Sequence, residues 1–351
     1  MTQHLTARHD PELQARIVRR VPMRYQQEAD SVVDRPPYVR AASGLTWFRD
    51  YLAVVQDDSN WLALIDTDDS VHAVPLPPDD ETGERVFDSA RGNKHRKIDL
   101  EACITVPGEN GHELIAFGSG SHTGREWILR VHEGTPITPR GVRHAHGGPD
   151  VAVHAEFLPA RALYEHLRAR TDFAGAGLNL EGAVPLDDGD TIVLFNRGNA
   201  PAAGGLSPVD ATARLSWRAV NAHLRDPQGV APPELTGIRQ YALGTFDGVR
   251  LTFSDAEDLG DAWLYSASAE DPATDAITGS ALGVIEAGGE ARWATVYDER
   301  GEPFRGKIEG LSRAPGKPGR VHFVIDDDDE TVPSEYFEAE LHGPWPVEGG
   351  A

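Results

Sequence analysis

Five polar residues recur near the starts of strand-like segments in this 351-residue chain: Ser43, Glu101, Glu181, Thr252 and Glu309. Each belongs to a pair of segments, as in SGLTWFRDYLAVVQDD, LEGAVPLDDGDTIVLFNRGN and IEGLSRAPGKPGRVHFVIDDDD. The separations are 58, 80, 71 and 57 residues, and the two chain ends together supply about one more period. Three carboxylates at repeat-equivalent positions converge wherever the repeats share an axis. In a low-dielectric channel they repel one another strongly, and a hard divalent cation relieves that repulsion. The donors are all oxygen, with no His or Cys, so Ca2+ fits best and Mg2+ or Mn2+ less well. Hydrogen bonds from backbone or water are the plainer way to satisfy the same glutamates.

The elements that must position these residues read as strands. YLAVVQDD, WLALID, ELIAFGSGS, EWILRVHEG, TIVLFNRGN and AWLYSASAED are short, rich in β-branched and aromatic residues, and bounded by Gly, Pro, Asp or Asn. One helix is expected over Pro159–Arg170, with Leu163, Tyr164 and Leu167 on one face. ATARLSWRAVNAHL is ambiguous, because its start alternates like a strand. Imperfect repeats long enough for four strands each predict an all-β fold, a β-propeller of five blades. Six blades is the alternative, through a blade hidden between Ala200 and Gly248. The whole chain, 1–351, forms one domain, with repeats over 43–345 and an N-terminal segment over 1–30. In that segment ARIVRRVPMRY pairs with SEYFEAELHG to close the ring.

The second segment of each repeat ends at the level where the first begins, so one rim gathers further polar groups. They are Asp57 and Asp58, Ser119 and Ser121, Asn196 and Arg197, Glu270 and Asp271, and the aspartates of DDDD. Ser119, Arg125, Asn196 and Arg197 are the candidate ligand-binding residues, the arginines for an anionic small molecule. Asp57, Glu270 and Asp327 are the candidate general bases. Together with an axial metal, this set suits hydrolysis of a phosphate ester, phosphoanhydride or lactone. The competing class is a non-catalytic propeller that binds a small molecule or a protein, its axial metal structural or absent.

Composition narrows the partners. A formal charge of −23 repels nucleic acid and anionic membranes, and no apolar run nears the ~18 residues of a membrane helix. The N-terminus has no apolar h-region, so a cytoplasmic, monomeric protein is expected. A lone Cys103 in LEACITV reads as a packing thiol. RGNKHRK, Arg91 to Lys97, is the one basic cluster and reads as a solvated loop. His144, His146 and His154 read as exposed histidines, and FGSGSHTGR as a tight turn.

The motifs DLEA, FGSGS, LNLEG, LFNRGN, AED and DDDD, met in that order between Ser43 and Leu341, resemble an uncharacterised bacterial family expected to form β-propellers. That resemblance implies a fold, since the family has no established activity. The ring is also similar to that of the calcium-activated nucleotidases, or soluble apyrases, whose five blades hold a central Ca2+ with Ser, Glu, Glu, Ser, Glu. Ser43, Glu101, Glu181, Thr252 and Glu309 match that order with Thr252 in place of the second serine. Propeller lactonases and organophosphate hydrolases also use a central Ca2+, but with Asn and Asp among the ligands.

Overall fold

In a computed structural model, the structure describes residues 2–108, 111–133, 153–274, 276–326 and 329–347. The chain is all-β, built from antiparallel sets of strands in sequence order. Repeat 1 comprises Ala42–Phe48, Tyr51–Gln56, Trp61–Ile65 and Val71–Pro75, and repeat 2 comprises Leu100–Gly108, Gly111–Gly118, Trp127–Glu133 and Val153–Pro159. Repeat 3 comprises Leu180–Pro185, Thr191–Asn196, Asp210–Ser216 and Thr236–Ala242, so the stretch from Ala200 to Gly248 carries the outer strands of this repeat. Repeat 4 comprises Val249–Asp258, Ala262–Glu270, Ile277–Glu286 and Ala291–Tyr297. Repeat 5 supplies Ile308–Arg313, Arg320–Ile325 and Glu335–His342, and its outer strand, Gln14–Pro22, comes from the N-terminus.

Most of these strands are buried on both faces, so they read as unbroken apolar runs. Trp61–Ile65 is buried at every position. Apolar clusters fill the spaces between successive repeats: Phe48, Leu62 and Leu129 between 1 and 2, and Ile104, Ile192 and Trp217 between 2 and 3. Phe195, Phe253 and Trp263 fill the space between 3 and 4, Leu264, Leu311 and Phe323 that between 4 and 5, and Leu45, Trp61 and Val324 that between 5 and 1. Each large side chain so buried contributes about 1.5–3 kcal/mol. The first strands of the repeats touch one another in the order 1, 2, 3, 4, 5 and back to 1.

The helix read near residue 160 runs over Arg161–Ala169 and buries Leu163, Tyr164 and Leu167. It starts later than expected because Pro159 still pairs with Trp127 as the last residue of a strand. The ambiguous stretch divides at Ser216. Asp210–Ser216 is a strand, and the Ser216 hydroxyl then accepts the Ala219 N–H to cap a helix over Trp217–Arg225. No helix among the described residues is long and apolar enough to cross a membrane.

The N-terminus acts as a strap along the outer edges. Gln3–Thr6 pairs in parallel with the outer strand of repeat 3, and Arg8–His9 with that of repeat 4. Gln14–Pro22 completes repeat 5, and Tyr25 bridges to Val71 on the outer strand of repeat 1. Deleting residues 2–26 uncovers four outer edges at once. The expected result is aggregated protein without a cooperative melting transition, checked by calorimetry on the purified deletion variant.

His322 is 6% exposed and packs against Trp47 and Tyr336 with ring centroids 5.9 and 5.5 Å away. Burial drops its pKa to about 4, although Glu338 pulls it up. A base whose folded pKa is depressed contributes stability that is present above its unfolded value near 6.5 and lost as pH falls towards 4. Wild type should therefore lose about 3 kcal/mol more than His322→Phe between those limits, measured by urea unfolding at each pH.

Candidate functional site

Every first strand has a register break at the same place. The pairing skips between Ala42 and Gly44, Leu100 and Ala102, Leu180 and Gly182, Phe253 and Asp255, and Ile308 and Leu311. The bulged residues are therefore Ser43, Glu101, Glu181, Ser254 and Glu309, the last with Gly310. Close approach of the strands accounts for the small residue that follows in most of them. A Cβ on Gly44 would lie 2.4 Å from the Glu101 carbonyl oxygen, and one on Gly310 would lie 2.8 Å from the Leu45 nitrogen.

The register corrects one sequence assignment. Thr252 precedes the bulge and pairs with Ser268, so the fourth ring position belongs to Ser254. The sequence pattern around the ring is apolar, then Ser or Glu, then small: Ala-Ser-Gly, Leu-Glu-Ala, Leu-Glu-Gly, Phe-Ser-Asp and Ile-Glu-Gly. Asp255 breaks the pattern in the fourth repeat, which hid Ser254. Thr252 still serves the site: its hydroxyl accepts the Arg197 Nε–H at 3.1 Å.

The ring acids are met by cations of this chain. Lys307, two residues before Glu309 and just ahead of its strand, puts its ammonium on Glu309 Oε1. Arg197 lies 3.3 Å from Glu181 Oε1 and 2.6 Å from Glu270 Oε2. The Lys97 ammonium sits 2.5 Å from Asp57 and 2.7 Å from Asp99, and Arg125 is 2.6 Å from Asp99. One carboxylate oxygen each from Asp57, Asp99 and Glu101 lie within 4.8 Å of one another, the densest acidic cluster among the described residues. Sequence reasoning took Lys97 for part of a solvated basic loop, whereas it is buried against these acids, and it did not weigh Asp99 or Lys307.

This match is incomplete. Asp57, Asp99, Glu101, Glu181, Glu270 and Glu309 face Lys97, Arg125, Arg197 and Lys307, which leaves two carboxylates in excess. Glu309 Oε2 is buried and has no hydrogen-bond partner. Burial, opposed by Lys307 and reinforced by Glu181, lifts the Glu309 pKa to about 8. Burial, with Glu181 and Asp99 adding to it, raises Glu101 well above the usual carboxylate range. Glu181 is raised by burial, with Arg197 and Lys307 pulling the other way. The Ser43 hydroxyl donates to the Leu100 carbonyl in the next repeat, and Ser254 Oγ lies 3.2 Å from Ser268 Oγ.

The remaining candidates are placed unevenly. Ser119 is buried against Asp99 and Ser121, and Arg125 also donates to Ser121 at 2.9 Å. Asn196 is fully buried: its amide donates to the Val209 carbonyl and accepts the Asn179 N–H, so it braces the backbone and faces no ligand space. Asp58 is held by Arg40 at 2.8 Å. Asp327, like His144 and His146, lies outside the described residues. His154 stacks on His132 at 4.9 Å. The basic cluster is spent on ion pairs, Arg91 with Asp34 and Asp88, and Arg96 with Asp79 and Glu81. Cys103 is buried, and burial raises its thiol pKa well above the usual value.

Arg197 is 3% exposed, so removing it strands Glu181 without its counter-charge. Arg197→Met should cost roughly 3–5 kcal/mol, and adding Glu181→Met should recover much of that loss, as read by urea unfolding of both variants.

No curated protein sequence matches this chain. Among solved structures it is similar to a gluconolactonase from Xanthomonas campestris, at 13% identity, with 95% of this chain and 100% of that one covered and a TM-score of 0.37. It is also similar to virginiamycin B lyase from Staphylococcus aureus, at 14% identity, 93% and 74% coverage and a TM-score of 0.30. A GH43 β-1,3-galactosidase gives 10% identity, 91% and 58% coverage and a TM-score of 0.49. The chain spans 58% of that galactosidase and 65% of a streptogramin B lyase. At these scores the likenesses carry no chemistry across. A family model, in contrast, matches residues 38–341, a span that contains the whole ring from Ser43 to Glu309, and the chain belongs to the family of unknown function DUF6929.

Proposed function

We propose that the chain is a five-bladed propeller, closed by the pairing of its terminal strands, that holds one divalent cation on its axis. Ca2+ is the preferred ion, with Mg2+ and Mn2+ behind it, and Ser43, Glu101, Glu181, Ser254 and Glu309 are the holding residues. The observation that carries this reading is the surplus of two carboxylates, with a buried Glu309 oxygen that meets no donor. Burial balances that surplus with protons on Glu101 and Glu309, and a single doubly charged ion would replace those protons while every resident cation keeps its partner. Hydroxyl and carboxylate oxygens are also the donors that a hard cation selects.

The rim then forms the ligand seat. Arg125 is the most accessible rim cation, its side chain 22% exposed, and suits an anionic small molecule. Asp57 and Glu270, paired with Lys97 and Arg197, are the candidate general bases on this rim. When bound, the ion supplies Lewis-acid assistance for hydrolysis of a phosphate ester, phosphoanhydride or lactone.

The resident cations support a second reading. With Lys307 on Glu309, Arg197 on Glu181 and Lys97 on Asp57 and Asp99, the axis is also a lattice of buried ion pairs that holds the blades in a non-catalytic binding protein. Calcium titration of chelator-treated protein by calorimetry separates the two. The expected result is one bound ion, a gain near 2.7 kcal/mol in stability at about a hundredfold excess over Kd, and loss of binding in Glu101→Gln, Glu181→Gln and Glu309→Gln. Absence of binding heat in the wild type selects the ion-pair reading.

A further inference from the structure

Away from the axis, repeat 2 carries two imidazoles packed on each other. His132 on Trp127–Glu133 and His154 on Val153–Pro159 are register partners across the two outer strands, and their rings stack with centroids 4.9 Å and planes 29° apart. Side chains directly opposed on a sheet have Cβ atoms about 4.5–5.5 Å apart, so the backbone itself holds the two rings together. His132 Nδ1 is buried and meets no hydrogen-bond partner, although a buried ring nitrogen ordinarily has one. His154 is exposed, on the last strand of its sheet.

The next pair on the same face supplies an acid. Arg130 and Glu156 are register partners, each two residues from one of the histidines, so all four side chains leave the sheet on one side. Arg130 lies 3.6 Å from Glu156 Oε1 and 3.5 Å from Glu113 Oε2, and it also donates to the Asn221 side-chain oxygen. The Glu156 side chain is 39% exposed and can leave Arg130 without stranding it, since Glu113 and Asn221 remain. Two ring nitrogens and one carboxylate, all from adjacent strands, can therefore meet a single ion.

We propose that His132, His154 and Glu156 bind a transition-metal ion, Zn2+ before others. Imidazole nitrogen is a ligand that Zn2+ favours and Ca2+ does not. Zn–N bonds of about 2.0–2.1 Å require the rings to leave their stack, and exposed His154 makes that turn; a tetrahedral ion so held keeps a fourth position for water. The strap shows what the ion would do. It pairs with or bridges to the outer strands of repeats 1, 3 and 4 and is itself the outer strand of repeat 5, whereas Val153–Pro159 pairs only with Trp127–Glu133 among the described residues. Zinc across His132 and His154 pins this remaining outer strand to its neighbour. The site shares no residue with the axial ring.

Zinc titrated by calorimetry into the whole chain, with Ca2+ in excess to fill oxygen-donor sites, tests the assignment. One bound Zn2+ and a raised melting temperature are expected, with affinity falling by about tenfold or more in His132→Ala, His154→Ala and Glu156→Gln. His154 is exposed, so His154→Ala keeps the test valid if His132→Ala disturbs the fold, and metal-free melting curves of every variant check this. The control His95→Ala, exposed before repeat 2, should bind as the wild type does. Three outcomes overturn the proposal: no zinc binding in the presence of Ca2+, wild-type affinity in His154→Ala, and equal weakening in His95→Ala, which would mean scattered binding to surface histidines.

Discussion

The constraint on which the rest of the structure depends is the closeness of five strands about one axis. A side chain after the bulge has almost no room, as the 2.4 Å gap at Gly44 illustrates. The bulge is the device that makes the approach tolerable. It lets each strand bend around the axis and gives the extra residue a place beside the channel, where only a hydrogen-bonding or charged side chain can be satisfied. The Ser and Glu residues at the bulges are thus first a consequence of packing.

Once acids stand on the axis, charge has to be matched nearby, and the matching is local. Lys307 answers Glu309 from just ahead of its strand, Arg197 answers Glu181 from the residue after the partner strand, and Lys97 answers Asp57 and Asp99 from the loop before repeat 2. Buried pairs of this kind add little net stability, because desolvation offsets their attraction, but they penalise any arrangement that separates the partners. The pairs that cross between repeats, Lys97 with Asp57 and Arg197 with Glu270, fix the relative heights of neighbours more than they hold them together. The apolar clusters between repeats supply the cohesion.

Much of this was legible in the sequence, and the failures are physical. The strands, the helix over Arg161–Ala169 and four of the five bulged positions follow from residue type and spacing. The fifth was missed because a bulge adds a residue without a sequence mark, and Asp255 sits where the other repeats are small. Asn196 looked like a rim residue, but an amide can brace two backbone groups at once and be drawn inside. The strap of Gln3–Thr6 and Arg8–His9 was invisible, because strands this short and exposed have no periodicity to read.

The strap also has a meaning in time. Residues 2–26 leave the ribosome well before their partners: Gln14 pairs with His342, far along the chain. Until those partners emerge this segment is an unpaired edge seeking a neighbour, the kind of segment that recruits other chains. Its own composition answers the hazard. In Gln14–Pro22 the inward Ala15 and Ile17 are flanked by exposed Arg16, Arg19 and Arg20, charges that discourage stacking on another copy until the final repeat arrives. The strand Glu335–His342 is therefore the one that ends the vulnerability of Gln14–Pro22.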